Sequence, residues 1–354
     1  MKPFTYNCLP ARVIFGSGTI AALGEEIRRL GCSRALILST PQQQADAKAL
    51  ADRIGPLAAG LYTNATMHTP VAVTEEALAV VRNLNADVTV ALGGGSTTGL
   101  GKAIALRTDL PQIVIPTTYA GSEATPILGE TKDGLKTTQR SAKVLPEVIL
   151  YDVDLTLSLP PGLSATSGMN AIAHAVEALY AQDANPITSL MAEEAIRALA
   201  IALPVIVKDP ENREARSDAL YGAWLCGICL STVGMALHHK LCHTLGGTFD
   251  LPHAETHTVV LPHATAYNAS ATPAAMKRLA RALNTDDPVR GLYDLERKLG
   301  APMSLQELGM PQTGLDKATD LALANPYWNP RPLERNAIRA LLDDAWAGRP
   351  PSSR

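Results

Sequence analysis

The sequence has no excess of positive charge. Its 31 lysines and arginines are offset by 34 aspartates and glutamates, which gives a formal net charge of -3. A chain without a basic field has little electrostatic attraction for nucleic acid or for an anionic membrane surface. We therefore expect a small-molecule partner, with no nucleic acid and no membrane.

The N-terminal segment lacks the pattern of a secretory signal. Residues 1–10 contain no basic stretch followed by an apolar run, so we expect a cytoplasmic protein. One stretch, 219–237, has no charged residue, but it contains glycines and leads directly into the polar run 238–240. A buried helix of a large helical domain explains this composition better than a membrane span.

A second cysteine pair is also missing. The five cysteines include one Cys-x-x-Cys, formed by Cys226 and Cys229, whereas a zinc ribbon requires two such pairs. A thioredoxin-like redox pair would follow a strand, but these cysteines fall inside the uncharged helical stretch. We expect them to be small buried hydrophobic residues.

The chain changes in character near residue 155. Before it, short β-rich runs alternate with helical patterns, which is typical of a parallel sheet covered on both faces. The predicted strands are 12–15, 35–38, 88–92, 113–115 and 148–150, and the predicted helices are 23–30, 45–54, 74–84 and 99–106. Long helical patterns follow the break at 160–162. The sequence thus predicts an α/β domain with a parallel sheet over 1–155 and an all-α domain over 156–354.

A glycine run follows the predicted strand 88–92. It reads Gly93-Gly94-Gly95-Ser96-Thr97-Thr98, and a helix is predicted to begin near Gly99. Glycines let the backbone approach an anion, and a helix N-terminus presents unpaired N–H groups. The hydroxyls of Ser96 and Thr97 can donate to a phosphate oxygen, and Lys102 adds a positive charge. The run is neither GxGxxG nor a Walker loop, and a turn that binds nothing is the alternative. We interpret it as the pyrophosphate site of a dinucleotide cofactor.

Two more segments belong to the predicted cofactor site. After the strand 113–115, the segment 116–123 places Thr117, Thr118 and Ser122 where open α/β sheets bind ligands. The strand 35–38 leads into Ser39 and Thr40, and the first acidic residue after it is Asp46. A carboxylate at this place usually binds the ribose of NAD, whereas a neutral site tolerates the phosphate of NADPH. We predict that the protein uses either NADH or NADPH as its cofactor and that Thr40 is among the cofactor-binding residues.

The second half concentrates histidines. Six of the eight are His238, His239, His243, His253, His257 and His263. Upstream, Asn170, His174 and Glu177 share one face of a predicted helix over 162–181. Clustered imidazoles act as metal ligands or as general acids. We interpret His174, His239, His243 and His253 as one site. We expect His238, His257 and His263 to be structural.

These motifs, in this order, resemble those of the iron-containing alcohol dehydrogenase superfamily, a relative of the dehydroquinate synthases. The resemblance covers essentially the whole chain. The run 93–96 is similar to the family's diphosphate loop, 116–123 to its nicotinamide-side segment, and 168–178 to its first metal-site helix. His239-x-x-x-His243 with Pro252-His253 is similar to the second metal-site segment. The resemblance implies an oxidoreductase that uses NAD(P)H, and it suggests a homodimer.

One position departs from the family pattern. Most members have a metal site of one aspartate and three histidines, but Asn170 stands at the aspartate position. His174, His239 and His253 match the three histidines and would be the ligands if a metal were present. His243 matches the non-ligand catalytic histidine. Zinc can be held by three histidines, whereas a ferrous site loses most without its carboxylate.

Within the superfamily, this departure looks like the maleylacetate reductases, as do the segments 67–70, 246–253 and 325–330. That branch reduces the conjugated double bond of maleylacetate to give 3-oxoadipate in aromatic-compound degradation. It is generally regarded as needing no metal, so no metal is expected here. The alternative is a metal-dependent (Fe or Zn) NAD(P) alcohol dehydrogenase of the same superfamily. A lyase on the synthase scaffold and a non-catalytic nucleotide-binding protein are more distant alternatives.

The reaction implied by the resemblance needs an oxyanion stabiliser and a proton donor. We expect His243 to be the leading acid, with His253 as the alternative. His174 and His239 would hydrogen-bond the oxyanion or orient the substrate, and Asn170 would be a neutral donor. The dicarboxylate substrate also needs cations. The substrate-binding candidates are Lys240, Tyr327 and Arg331.

Overall fold

The computed structural model describes residues 4–6, 11–133, 135–325 and 327–352. The chain forms two compact units. Of the described residues, 11–159 belong to the first, and 160–352 together with 4–6 belong to the second. Among the described residues of the first unit lies a six-stranded parallel sheet with strand order β1-β8-β5-β4-β2-β3 and a separate antiparallel pair, β6-β7. The strands are β1 (Arg12–Gly16), β2 (Ala35–Leu38), β3 (Ala58–Tyr62), β4 (Val88–Gly93), β5 (Gln112–Pro116), β6 (Ile127–Lys132), β7 (Leu135–Arg140) and β8 (Val148–Asp152).

Among the described residues of this unit, four α-helices accompany the sheet. They are α1 (Leu23–Arg29), α2 (Gln44–Ile54), α3 (Val71–Leu84) and α4 (Gly95–Thr108). The central strands β2, β4, β5 and β8 are buried along their whole length, as expected of parallel strands that are covered on both faces. The predicted fold class is confirmed for this unit.

The structure adds elements that the sequence pattern does not predict. Strand β3 consists mainly of alanine, glycine and leucine, and it therefore lacks the β-branched residues that mark a strand. Helix α4 begins at Gly95, so the predicted start near Gly99 is wrong. Glycine, serine and threonine are weak helix formers, which explains why the pattern places the start too late. Ser96 and Thr97 consequently lie in the first turn of α4.

The second unit is helical throughout its described residues. Its helices are α5 (Pro161–Tyr180), α6 (Pro186–Lys208), α7 (Arg213–Thr232), α8 (Leu237–Phe249), α9 (His253–Ala269), α10 (Pro273–Leu283), α11 (Pro288–Leu299), α12 (Leu315–Ala324) and α13 (Arg335–Trp346). Helix α5 begins with Pro161, whose fixed φ suits a first helical turn. Almost all of α5 after its first turn is buried, which makes it the central helix for the histidine cluster described below.

The uncharged stretch 219–237 lies mostly in α7, where Cys226 and Cys229 are fully buried, as predicted. Burial raises the pKa of the Cys229 thiol to about 12. Among the described residues, no single helix meets the length and hydropathy of a membrane span. Helices α7 and α8 satisfy these criteria only when joined, and their axes meet at 96°.

Candidate active site

The glycine run in the first unit forms the N-terminus of α4. Gly93 has φ 149°, and a Cβ at this position would lie 2.6 Å from Oγ1 of Thr97 and 2.7 Å from Oε1 of Gln43. A Cβ at Gly94 would lie 2.9 Å from a methyl group of Thr118. Side chains are therefore excluded at both positions by close packing. The backbone N–H groups of the first turn remain available to an anion, since an α-helix cannot pair them internally.

Two buried hydroxyls at this helix terminus have no hydrogen-bond partner within the described chain. They are Oγ1 of Thr97 and Oγ of Ser122. The Ser122 hydroxyl also lies beside the glycine run, because an ideal Cβ on Gly95 would be 3.9 Å from it. A buried hydroxyl without a partner is costly, so this arrangement suits a ligand that accepts hydrogen bonds. These residues fit the diphosphate of a dinucleotide.

The carboxyl ends of β2, β4 and β5 are neighbours in the sheet, and Gly93 is in register with Pro116. Thr40 and Thr117 follow these strands, so both predicted cofactor residues lie at the same sheet edge as the glycine run. Gln43 links the edge, because its Nε2 donates to Oγ1 of Thr117 at 3.2 Å. Gln43 was not among the predicted cofactor residues. Its only signal is that it follows a strand that ends at this edge.

Lys102 is not placed as the sequence analysis expected. Its side chain is buried, and its Nζ lies within 2.9 Å of four protein oxygens in the segment 122–127. An ammonium group has only three N–H donors, so the protein already satisfies it. Direct contact of Lys102 with a phosphate is therefore not supported. Burial lowers the pKa of Lys102 to about 7, and the carboxylate of Glu123 opposes this shift.

The histidine cluster in the second unit is built on α5, α8 and α9. His174 and His239 come from α5 and α8, and Nδ1 of His174 lies 2.8 Å from Nε2 of His239. Both side chains are buried. His253 joins them at the start of α9, and its ring centroid is 4.3 Å from that of His257. His243 lies one turn beyond His239, with ring centroids 6.2 Å apart, and it is exposed. The four histidines predicted to form one site therefore lie together.

Glu177 organises this cluster, although the sequence analysis gave it no role beyond its helical face. Its carboxylate is fully buried and accepts three hydrogen bonds. Two come from the backbone N–H groups of Ala236 and His238, each at 2.8 Å, and one from Nδ1 of His239 at 2.7 Å. Two of these donors belong to the first turn of α8 and the residue before it, where helix N–H groups need acceptors. Glu177 thus binds both the N-terminus of α8 and the imidazole of His239.

These hydrogen bonds assign the tautomers of two histidines. A carboxylate can only accept, so Nδ1 of His239 carries a proton and donates to Glu177. In neutral His239 the other nitrogen, Nε2, must then accept, which makes Nδ1 of His174 the donor between the two rings. Both ring nitrogens of His239 are therefore in use. In His174, Nε2 is the ring nitrogen that the hydrogen bond to His239 does not use.

His238 and His257 were predicted to be structural, and the structure places them inside the cluster. Nε2 of His238 lies 3.0 Å from Nδ1 of His257, and both rings are fully buried. Burial lowers the pKa of each imidazole well below its usual value, so both are neutral. The second nitrogen of each ring has no hydrogen-bond partner in the described chain. That both histidines are structural stays a prediction. His263, by contrast, lies apart, beside Tyr267 and Asp344.

The ligand atoms of His238, Cys242 and His257 lie within 4.8 Å of one another, which raises the question of a metal. A metal-bound imidazole normally donates its other N–H to an acceptor. Here the outer nitrogens of both rings lack one among the described residues. This trio is therefore better described as a polar part of the core than as a metal centre.

The metal site implied by the family can be tested on Asn170 and its neighbours. Asn170 is buried, and its Oδ1 makes no hydrogen bond within the described chain. It offers a neutral amide oxygen where a ferrous site prefers a carboxylate. The nearby carboxylate of Glu177 is already occupied by three donors, and the facing nitrogens of His174 and His239 are hydrogen-bonded to each other. This donor set does not fit a ferrous ion.

Of the substrate-binding candidates, Lys240 and Arg331 have different surroundings. The guanidinium of Arg331 stacks on Tyr267, 4.2 Å from the ring centroid, and donates to the Tyr267 carbonyl at 3.2 Å. Lys240 is half-buried on α8, with Nζ 5.6 Å from the ring centroid of Tyr327, and it makes no ion pair within the described chain. The Tyr327 hydroxyl is buried and has no hydrogen-bond partner there. Lys240 is therefore the better placed of the two cations to meet a carboxylate.

Asn329 fixes the segment that carries Tyr327. It exchanges two amide hydrogen bonds with Asn268 of α9, at 3.0 and 2.8 Å. Its Oδ1 also accepts from the N–H of Leu237 at 3.4 Å. The segment 325–330 that resembles the maleylacetate reductases is thereby attached to the helices of the cluster; its residue Pro326 lies outside the described residues.

Two family models together match nearly the whole chain. The model named "Iron-containing alcohol dehydrogenase" matches residues 10–153, and that of the "Fe-containing alcohol dehydrogenase family, C-terminal" matches residues 164–346. The chain therefore belongs to the iron-containing alcohol dehydrogenase family.

Individual relatives narrow this further. The chain is 60% identical to a maleylacetate reductase of Rhizobium sp. (strain MTP-10005), over 99% of this chain and 100% of the relative. The crystal structure of maleylacetate reductase from Agrobacterium tumefaciens superimposes with a TM-score of 0.96 at 59% identity, over 99% of this chain and 100% of that one. An iron-containing alcohol dehydrogenase from Corynebacterium glutamicum has a TM-score of 0.94 at 43% identity, over 98% and 97% of the two chains.

Proposed function

We propose that this protein reduces the conjugated double bond of maleylacetate to 3-oxoadipate with NADH or NADPH, in the degradation of aromatic compounds. The proposal is supported by its similarity to maleylacetate reductases over the full length of the chain. The observation in the site that carries it is the environment of Asn170. This neutral amide lies one helical turn before His174 on α5, and the imidazole of His174 is linked through His239 to the buried carboxylate of Glu177. This arrangement suits proton chemistry better than a ferrous ion.

The substrate is a ketone conjugated to a carbon-carbon double bond. When bound, NAD(P)H would supply a hydride to the alkene carbon that bears the distal carboxylate. The electron pair of the double bond then moves toward the ketone, which becomes an enolate. One proton added to the carbon next to the ketone completes the product. The protein must therefore stabilise one oxyanion and deliver one proton.

The first unit would hold the cofactor. The N–H groups at the start of α4 and the hydroxyls of Thr97 and Ser122 would bind the diphosphate, with Gly93 and Gly94 allowing the close approach. The remaining residues proposed for cofactor binding are Gly95, Ser96, Thr117, Thr118 and Thr40. Lys102 is not proposed to contact the cofactor directly, because protein oxygens surround its ammonium group.

The histidine cluster would handle the oxyanion and the proton. His243 is exposed on α8 and remains the leading acid, with His253 as the alternative. His174 would hydrogen-bond the enolate oxygen through Nε2 when its ring carries an extra proton. His239 would act through His174, since its own nitrogens contact Glu177 and His174. The carboxylate of Glu177 stabilises positive charge on this pair of rings and so supports the developing oxyanion.

Asn170, Lys240 and Tyr327 would contact the substrate. The Nδ2 of Asn170 can donate to a substrate oxygen, and the ammonium of Lys240 can pair with one carboxylate. Arg331 is a weaker candidate because its guanidinium already stacks on Tyr267 and donates to a carbonyl.

Three further points belong to the proposal. Residues 1–155 would form the cofactor domain and residues 156–354 the substrate domain, the enzyme would work in the cytoplasm, and it would form a homodimer. The NAD(P)H requirement suits a cytoplasmic enzyme. Mass measurement by light scattering during size-exclusion chromatography tests the dimer directly.

The decisive experiment adds maleylacetate and NADH to the purified protein and follows the loss of nicotinamide absorbance, with the product identified by mass spectrometry. We expect oxidation of NADH in step with the formation of 3-oxoadipate. NADH consumption with no such product, or none at all, contradicts the proposal. A parallel assay with simple alcohols and NAD+ identifies an alcohol dehydrogenase instead.

Treatment with a chelator tests whether the reductase activity depends on a metal. Prolonged treatment with a strong chelator, followed by desalting, should leave the maleylacetate reductase activity unchanged. Activity that is lost and then restored by zinc or iron would contradict the metal-free site.

A further inference from the structure

The ammonium of Lys102 has an unusual number of acceptors from one short segment. Nζ lies 2.6 Å from the Ser122 carbonyl oxygen, 2.7 Å from that of Thr125, 2.9 Å from Oγ1 of Thr125 and 2.9 Å from the Ile127 carbonyl oxygen. All four oxygens come from the segment 122–127, while Lys102 belongs to α4. The Lys102 side chain thus ties this segment to the helix whose N-terminus the glycine run forms.

A second buried contact holds the same segment from β8. The hydroxyl of Tyr151 donates to Oε1 of Glu123 at 2.8 Å, and both residues are buried. Glu123 is also close enough to Lys102 to interact with its charge. Two buried polar contacts therefore hold the segment 122–127 in place.

Ser122 connects this arrangement to the predicted cofactor site. Its carbonyl oxygen accepts from Lys102, while its buried hydroxyl has no partner in the described chain and lies beside Gly95 at the start of α4. Lys102 is two helical turns along the same helix. The hydrogen bond from Lys102 to the Ser122 carbonyl therefore connects the residue that carries this hydroxyl to the helix whose N–H groups lie beside it.

We propose that Lys102 is a positioning residue for NAD(P)H, which holds the segment 122–127 so that the Ser122 hydroxyl and the N-terminus of α4 meet one diphosphate. The inference rests on the proposed function, since it presupposes that the first unit binds the cofactor. Lys102 itself does not touch the cofactor. Its effect reaches the ligand through the placement of Ser122.

The test compares Lys102→Met, which removes the ammonium and keeps much of the side-chain volume, with Thr125→Val. The second variant removes the hydroxyl that accepts from Lys102 and donates to the Ser122 carbonyl, both at 2.9 Å. Lys143→Met is the matched control, because Lys143 is an exposed lysine of the same unit that pairs with Asp109 at 3.3 Å. For each variant, the Kd of NADH is measured by fluorescence titration, and kcat and both KM values by the maleylacetate assay. Thermal unfolding reports on folding.

We expect Lys102→Met to raise the Kd and KM for NADH by about tenfold and Thr125→Val by about threefold, as lost charged and polar hydrogen bonds of a binding site do. The kcat at saturating NADH and the KM for maleylacetate should stay within about twofold of wild type, and Lys143→Met should leave every constant unchanged. A role in folding alone would lower the active fraction, and with it kcat, without changing the Kd.

A folded Lys102→Met protein whose NADH Kd equals that of wild type overturns the inference. If Lys102→Met does not fold, Thr125→Val decides, and an unchanged Kd for that variant has the same consequence. Absence of NADH binding by the wild-type protein overturns the proposed function together with this inference. Wild-type binding without reduction of maleylacetate leaves the binding comparison to decide Lys102 by itself.

Discussion

The carboxylate of Glu177 lies 2.7 Å from Nδ1 of His239 and is completely buried. This contact joins α5 to α8 and determines which nitrogen of His239 carries a proton. It also places one buried carboxylate in the cluster, where it accepts from two backbone N–H groups as well as from His239. The proposed chemistry of the histidine cluster depends on it.

Glu177→Gln should reduce kcat by about ten- to a hundredfold, because an amide cannot accept all three N–H groups and carries no charge to stabilise a protonated ring. The Kd of NADH should be unchanged, since this residue belongs to the second unit. Glu211→Gln, at an exposed glutamate of the same unit, is the control. A folded Glu177→Gln protein with wild-type kcat would remove the residue from the mechanism.

His243→Ala should lower kcat by about a hundredfold or more, the usual size of a general-acid contribution. NADH binding, measured directly by fluorescence, should remain intact. His253→Ala provides the comparison. A larger loss in His253→Ala than in His243→Ala would transfer the proton-donor role to His253, and unchanged activity in His243→Ala would end its assignment.

Lys240→Met and Arg331→Met should behave differently. We expect Lys240→Met to raise the KM for maleylacetate by at least about tenfold, through loss of a charge pair with a carboxylate. Arg331→Met should mainly lower the melting temperature, because its guanidinium contacts Tyr267. Lys277→Met on the exposed face of α10 is the control for charge. Equal effects of the first two variants on KM would show that both cations bind the substrate.

The wild-type protein should use NADH and NADPH with KM values within about tenfold of each other, because no carboxylate follows β2 before Asp46. Thr40→Asp should then raise the KM for NADPH by at least about tenfold and change that for NADH little, since a carboxylate repels the 2′-phosphate. Steady-state kinetics with each cofactor checks this. A hundredfold preference of the wild-type protein for NADH would refute the neutral-site argument.

His263 should make folding stability depend on pH. Burial lowers the pKa of this imidazole to about 4, with Asp344 opposing and Arg349 reinforcing the shift. In the unfolded chain the group titrates near its usual 6.5, so the unfolded state binds the extra proton first as the pH falls. The free energy of unfolding should therefore decrease between pH 6.5 and 4, by about 3 kcal/mol from this group.

Urea unfolding across this pH range checks the prediction, with His263→Gln as the comparison. The variant should show a shallower pH dependence than the wild type, whatever its absolute stability. Identical slopes in the two proteins would mean that other groups cause the acid sensitivity.

Several features of the site could be predicted from local sequence. The glycine run after a buried strand, the hydroxyls after the next strand and the helical spacing of Asn170, His174 and Glu177 depend on neighbouring residues and on regular periodicity. Backbone geometry converts such spacing into position almost without reference to the rest of the chain. The convergence of His174, His239, His243 and His253 was also predicted, with the help of the family resemblance.

Other roles depended on contacts between distant segments. Nothing near Lys102 in the sequence indicates that its ammonium is surrounded by oxygens of the segment 122–127. Likewise, the sequence does not show that α8 and α9 place Nε2 of His238 3.0 Å from Nδ1 of His257.

The sequence by itself thus determined the alternation of strands and helices in the first half, the helices of the second half and the number of histidines there. It could do so because propensity and periodicity are local. Tertiary structure alone decided which of those groups were already occupied. Partner choice for Glu177, Lys102 and Arg331 is a competition among all donors and acceptors within hydrogen-bond reach, and reach is a property of the folded chain.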